Sequence, residues 1–189
     1  MITSLSKKII EVLITVSKTE PDSETIEVYI YGLECFFNTF LTVFLLMIWS
    51  FLTGTIKETG LWIITFYVLR QYSGGFHAKT QFSCIMISYI LGMLDGILIM
   101  NVHYSRGITW IIIIICNIIC AFYAPAKTSK RNFVYSMRKN KKRKVFMILD
   151  IGFLIALLLQ SEISISIIYA NVCVCLLLVL NVVTNKIIE

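Results

Sequence analysis

Two side chains that could work together as a nucleophile and a base lie in the stretch RQYSGGFHAKTQFSC, residues 70–84. His77 is one of two histidines in the chain, and Cys84 is one of six cysteines. A cysteine thiolate attacks carbonyl carbon, and a neighbouring imidazole can return a proton to the leaving group. This pair of side chains would therefore cleave an amide bond by way of a thioester.

The spacing of the pair sets a condition on the backbone. Seven residues of straight helix rise about 10.5 Å, whereas proton transfer needs heavy atoms about 3 Å apart. His77 therefore cannot continue the helix that carries Cys84 if the two act together. Gly74 and Gly75 precede the histidine and relax the steric limits on the chain. We expect a bend between His77 and Cys84.

Residues that can begin a helix follow this bend. Thr80 or Ser83 can cap a helix that starts near Gln81. Cys84 would then lie in the first turn, where unpaired N–H groups and the helix dipole stabilise a thiolate. We expect His77 on a loop that folds back over this turn.

The composition indicates that a membrane surrounds these residues. The chain has 189 residues, of which 58% are hydrophobic and 15% charged, and its mean hydropathy is +0.83. About a quarter of the residues in a soluble domain are charged. We therefore predict an all-α, polytopic protein in which residues 1–189 form a single integral membrane domain.

The apolar segments predict about six transmembrane helices. The second run, residues 61–69, is short and crosses only if its flanking residues contribute. In residues 1–20, apolar side chains recur at steps of three and four, which predicts an amphipathic helix in the membrane interface. The other five spans are expected near residues 28–52, 82–102, 108–124, 145–160 and 163–184.

The positive charge of the chain is concentrated in residues 127–144, which hold nine lysines and arginines and no acid. Flanked by apolar spans, this segment is typical of a cytoplasmic loop that obeys the positive-inside rule and contacts anionic lipids. A nucleic-acid site is the less favoured interpretation. Counting spans from this loop places residues 70–84 and both termini on the cytoplasmic side.

Ionisable residues within spans are costly and usually functional. Glu34 is expected near the level of Cys84, where it could bind substrate or pair with Arg70. Asp95 lies eleven residues beyond Cys84, and we expect it to have a structural role and to face the interior. Lys79 could steer an acidic substrate, although a solvated interface lysine is the simpler interpretation.

The remaining cysteines and histidine predict no metal site. Most cysteines sit in apolar runs, where they behave as small hydrophobes, and none has the spacing of a zinc site. His103 is expected at the outer interface. Trp49, Trp62 and Trp110 fall near predicted outer span ends, which suits an interface belt. We expect no metal and no cofactor.

Two stretches together resemble the accessory gene regulator B (AgrB) family. In residues 70–84, arginine, glycine, histidine and alanine precede a cysteine that opens an apolar span, and YAPAKTSKR, residues 123–131, resembles the exit of the fourth span in that family. The amphipathic N-terminus, the YGLE of the first span and the length also fit. The resemblance covers nearly the whole chain, and the segment from histidine to cysteine is its most specific part.

The resemblance implies a cysteine endopeptidase in the cytoplasmic membrane of Gram-positive bacteria. Members of that family cut a small propeptide of the AgrD type and help cyclise it into a quorum-sensing signal. It implies that Cys84 is the nucleophile and His77 the acid-base, while Arg70 and Gly75 match the motif in supporting positions.

Two alternatives stay open. A non-proteolytic exporter of small peptides should tolerate loss of Cys84 but need the charges within the spans. A membrane assembly factor should tolerate loss of Cys84 and also loss of the charges within the spans. Small residues and intramembrane polar groups also leave a homodimer open.

Overall fold

The computed structural model describes residues 2–17, 21–76, 78, 80–101, 106–126, 135–159 and 162–188. This part of the chain contains seven helices and no strand, which confirms the all-α prediction. The helices are α1 (Ile2–Ser17), α2 (Ser23–Thr53), α3 (Ile56–Ser73), α4 (Gln81–Asn101), α5 (Arg106–Tyr123), α6 (Tyr135–Leu159) and α7 (Glu162–Ile188).

The N-terminal helix is amphipathic, as predicted, although residues 1 and 18–20 of the predicted segment lie outside the described residues. Its apolar face leaves Leu5, Val12 and Val16 exposed, which suits a helix that lies in a membrane interface. The opposite side buries Ser6 and Ile10 where α1 packs on α2.

Three helices in the described ranges, α2, α4 and α7, are long and apolar enough to cross a membrane, and α5 has a shorter apolar stretch. These helices agree with a membrane protein. The short second apolar run, residues 61–69, is part of a longer helix, since α3 begins at Ile56 and has 18 residues, or about 27 Å. The total of six spans and the side of each terminus stay predictions.

Helix α7 forms the centre of the fold, since it packs against α3, α4, α5 and α6. On α3, the rings of Trp62 and Phe66 stack 4.7 Å apart, and both are fully buried. The prediction that Trp62 lies in an interface belt is therefore wrong, because its face of α3 turns into the bundle. Trp110 is exposed, as a belt residue would be.

The sixth helix begins earlier than the sequence suggested. Residues 135–144 were expected in the basic loop 127–144, but they form the first turns of α6, while residues 127–134 lie outside the described residues. Lysine and arginine are good helix formers, and residues 135–151 contain no proline or glycine. The Lys142 ammonium donates to the Ala121 carbonyl at 2.6 Å, near the C-terminal end of α5, where cations are favourable.

Candidate functional site

The chain turns at the end of α3, at Gly74 and Gly75, which precede His77, whereas the bend was predicted between His77 and Cys84, a stretch that includes residues outside the described part of the chain. The helix stops at Ser73 because Gly74 (φ 69°) and Gly75 (φ 138°) adopt conformations that residues with a side chain rarely occupy. The Gly74 N–H donates to the Arg70 carbonyl at 2.9 Å and closes the helix. The chain from Gly75 to Cys84 is therefore not one continuous helix.

The segment that leaves α3 is fixed to distant parts of the chain. The Phe76 N–H donates to the Leu177 carbonyl on α7 at 2.9 Å, and the Ala126 N–H donates to the Ser73 carbonyl at 2.8 Å. A Cβ on Gly75 would lie 3.5 Å from the Leu177 Cβ, so the backbone passes directly against α7. Sequence reasoning missed this attachment because main-chain atoms make it.

Helix α4 begins as predicted, with Thr80 as its cap. The Thr80 hydroxyl oxygen accepts a hydrogen bond from the Ser83 N–H at 3.2 Å, and the Cys84 N–H donates to the Thr80 carbonyl at 3.1 Å. Of the two candidates for the cap, Thr80 has this role and Ser83 is its partner. Cys84 thus completes the first turn of α4.

A small cavity brings Arg70 and Cys84 together. The Arg70 guanidinium lies over the Phe66 ring, 5.6 Å from its centroid, and donates to the Phe76 carbonyl at 2.6 Å. Arginine therefore holds the residue that precedes the histidine. The cavity is lined by Arg70, Phe76, Ala78, Cys84, Ile87, Ser88 and Leu177.

Three of the predicted positions, His77, Lys79 and His103, lie outside the described residues. The distance between His77 and Cys84 stays a prediction. Phe76 and Ala78, the sequence neighbours of His77, both line the cavity.

Glu34 does not join this cavity in the described part of the chain. It is half-buried on α2 and is not among the described residues that line the cavity. Tyr31, one turn earlier on α2, instead lies near Arg70. Tyr31 was missed because a tyrosine in an apolar helix is usually interpreted as an interface residue.

Asp95 faces the interior, as expected. It is fully buried on α4, and neither carboxylate oxygen has a hydrogen-bond partner in the described part of the chain. Ser166 on α7 lies close to it.

The six cysteines differ in how deeply they are buried. Cys84 and Cys35 are half-buried, whereas Cys116, Cys120, Cys173 and Cys175 are buried. Within the described ranges, no three or more histidine, cysteine or acidic side chains lie together as a group that could hold a metal. Cys84 is thus a half-buried thiol at the start of a helix and beside a guanidinium.

A family model and several known proteins match this chain. A family model described as accessory gene regulator B matches residues 6–183. The accessory gene regulator protein B of Staphylococcus aureus (strain Newman) is 32% identical over 98 residues, 52% of each chain. Protein FsrB of Enterococcus faecalis (strain ATCC 47077 / OG1RF) is 30% identical over 101 residues, covering 52% of this chain and 42% of that protein.

The match to a third relative covers more of the chain. The accessory gene regulator protein B of Staphylococcus carnosus (strain TM300) is 26% identical over 130 residues, which cover 69% of this chain and 68% of that protein. The chain spans about half the length of the Staphylococcus aureus relatives it matches. No solved structure matches it.

Proposed function

The chain belongs to the accessory gene regulator B family, and on that premise we propose that it is a membrane cysteine endopeptidase. It cleaves the C-terminal part from a small propeptide and promotes cyclisation of the remainder into an autoinducing peptide for quorum sensing. Cys84 is the nucleophile, and His77 is the acid-base. No cofactor enters the reaction.

The chemistry needs only these two side chains and the substrate. The Cys84 thiolate attacks the scissile carbonyl, the C–N bond breaks, and His77 gives a proton to the leaving amine. The resulting thioester retains the acyl group in activated form. A thiol or hydroxyl within the propeptide then attacks it, which forms a thiolactone or lactone and releases the Cys84 thiol. Exclusion of water favours this route over hydrolysis.

One observation carries the proposal: a half-buried cysteine completes the first turn of a capped helix, in a cavity shared with an arginine. The positive end of a helix and a nearby cation both favour a thiolate. The other described cysteines lack this combination of exposure, helix position and charge. Cys35, which is equally half-buried, lies well inside α2.

The supporting residues have different roles in this proposal. Arg70 is a positioning residue, because its guanidinium holds the Phe76 carbonyl next to His77. Gly75 lets the backbone pass against α7 in a conformation that a side chain disfavours. In this proposal Glu34 contacts the substrate and Lys79 steers it towards the site.

The proposed setting is the cell membrane, with the site and both termini on the cytoplasmic side. Anionic lipids contact the basic residues of 127–144. A homodimer is compatible with this arrangement, and nucleic acid is not a partner.

The test uses the full chain in lipid vesicles. The substrate is a tagged propeptide, encoded by a short reading frame beside the gene for this protein. We expect Cys84→Ser and His77→Ala to abolish cleavage of this propeptide, whereas Cys35→Ser, a change at a thiol of similar burial, leaves it intact. If membrane-inserted Cys84→Ser still cleaves the propeptide, the proposal is wrong. If the unaltered chain transports it uncut, the exporter is correct.

A further inference from the structure

An apolar groove lies between α1 and the first turns of α2. Its volume is about 890 Å³, within the range of about 300–1,000 Å³ that is usual for ligand sites. Several of its side chains are exposed although they are apolar or aromatic. The groove is lined mainly by Leu13, Ile14, Val28, Tyr29, Tyr31 and Gly32.

Two observations place the helices of this groove near the cavity at Cys84. The Gln81 side-chain amide, in the first turn of α4, donates to the Thr3 hydroxyl of α1 at 3.0 Å. Tyr31 lines the groove and lies near Arg70, which lines the cavity. The groove and the cavity therefore belong to neighbouring parts of the fold.

We propose that the groove binds an apolar segment of the peptide substrate that carries basic residues and lies outside the bond that is cleaved. This inference rests on the proposed function, since it names how that substrate is held. The apolar lining gains free energy by burying such a segment, in proportion to the area removed from water. The exposed Tyr29 side chain carries a hydroxyl that can form a hydrogen bond with a peptide backbone, which a lipid tail cannot do.

Charge distinguishes a peptide from lipid as the occupant. Asp22, Glu24 and Glu27 are exposed at the start of α2. Glu24 lies four residues before Val28, and Glu27 four before Tyr31, so each acid shares a helix face with a residue that lines the groove. Carboxylates at this end repel anionic headgroups and attract lysine or arginine on a bound segment.

A groove-filling substitution tests the proposal by kinetics. A Cβ added at Gly32 would meet nothing within 4 Å, and the same is true of Gly60 on α3, away from the groove. Both glycines are helical, so leucine raises helix propensity at either position. We expect Gly32→Leu to raise the KM for the propeptide about tenfold, as loss of one buried apolar contact would, with kcat retained. Gly60→Leu should leave both constants unchanged.

The kinetic result overturns the proposal if Gly32→Leu cleaves with an unaltered KM, or if Gly60→Leu raises KM equally. Loss of kcat at constant KM would also count against it, because a docking groove acts on binding.

Photocrosslinking tests binding without cleavage. In a Cys84→Ala chain, p-benzoylphenylalanine replaces Leu13 in the groove or, as the control, Ile111, an exposed residue of α5. We expect the tagged propeptide to crosslink at position 13 and not at 111. If position 13 captures only phospholipid, the groove is not a substrate site. The same conclusion follows if the propeptide crosslinks equally at positions 13 and 111.

These two readouts separate the inference from the function on which it rests. If the unaltered chain fails to cleave the propeptide but position 13 still captures it, the endopeptidase proposal is wrong and the groove stands. If cleavage occurs without capture at position 13, the groove proposal is wrong.

Discussion

Replacing Gly75 with alanine tests whether the segment before His77 must stay fixed against α7. Gly75 has a φ of 138°, a region that a residue with a Cβ rarely enters. The added Cβ would lie 3.5 Å from the Leu177 Cβ and 3.6 Å from its carbonyl oxygen. These are ordinary contact distances, so the cost arises from backbone strain rather than from a clash.

The expected magnitude follows from two competing terms. Strain of this kind costs about 1–3 kcal/mol. The hydrogen bond from Phe76 to Leu177, which holds the segment, contributes about 0.5–1.5 kcal/mol. The alanine variant can escape the strain by leaving α7, which limits its cost to the lost hydrogen bond, about 0.5–1.5 kcal/mol. At about 1.4 kcal/mol per factor of ten, kcat/KM should fall about 2- to 12-fold.

The assay compares propeptide cleavage per folded molecule in lipid vesicles, with thermal unfolding in detergent measured alongside. Gly54→Ala is the matched control, since Gly54 also has a positive φ, 75°, at the end of α2 and has nothing within 4 Å of its added Cβ. It should lower stability and leave cleavage unchanged. Cleavage at the original rate by Gly75→Ala, or an equal loss in Gly54→Ala, would refute the reasoning.

Two further predictions concern the thiol and the guanidinium. A membrane-permeant maleimide should label Cys84 at least about tenfold faster than Cys35, because a thiolate reacts and a thiol does not; equal rates would show that Cys84 is not activated. Arg70→Lys keeps the charge but loses the rigid planar donor that reaches the Phe76 carbonyl, so cleavage should fall about tenfold while labelling of Cys84 persists. Full cleavage by Arg70→Lys would contradict a positioning role.

Much of the helical framework could be predicted from hydropathy and local capping chemistry. The amphipathic α1, the apolar α2, α4, α5 and α7, and the start of α4 after Thr80 all depend on residues close together in the sequence. The sequence was misleading where tertiary contact or helix propensity decided the outcome. Trp62 is buried rather than at an interface, and α6 begins inside the expected loop.

In the candidate site, too, some features follow from local sequence and others depend on tertiary contacts. From the sequence we could predict a bend before Cys84, because paired glycines and a capping threonine are local signals that act within one turn. The hydrogen bond from Arg70 to the Phe76 carbonyl was not predictable, because it depends on how the chain folds back after the bend.

The sequence by itself determined that the chain forms apolar helices, that a break separates α3 from α4, and that Cys84 opens the second of these. Only the tertiary structure decided what holds the break in place. Phe76 bonds to Leu177, about a hundred residues later, and Ser73 bonds to Ala126. Every non-proline residue carries the same main-chain donor and acceptor, so side-chain identity does not reveal such partners, and only the packing of α7 against α3 selects them.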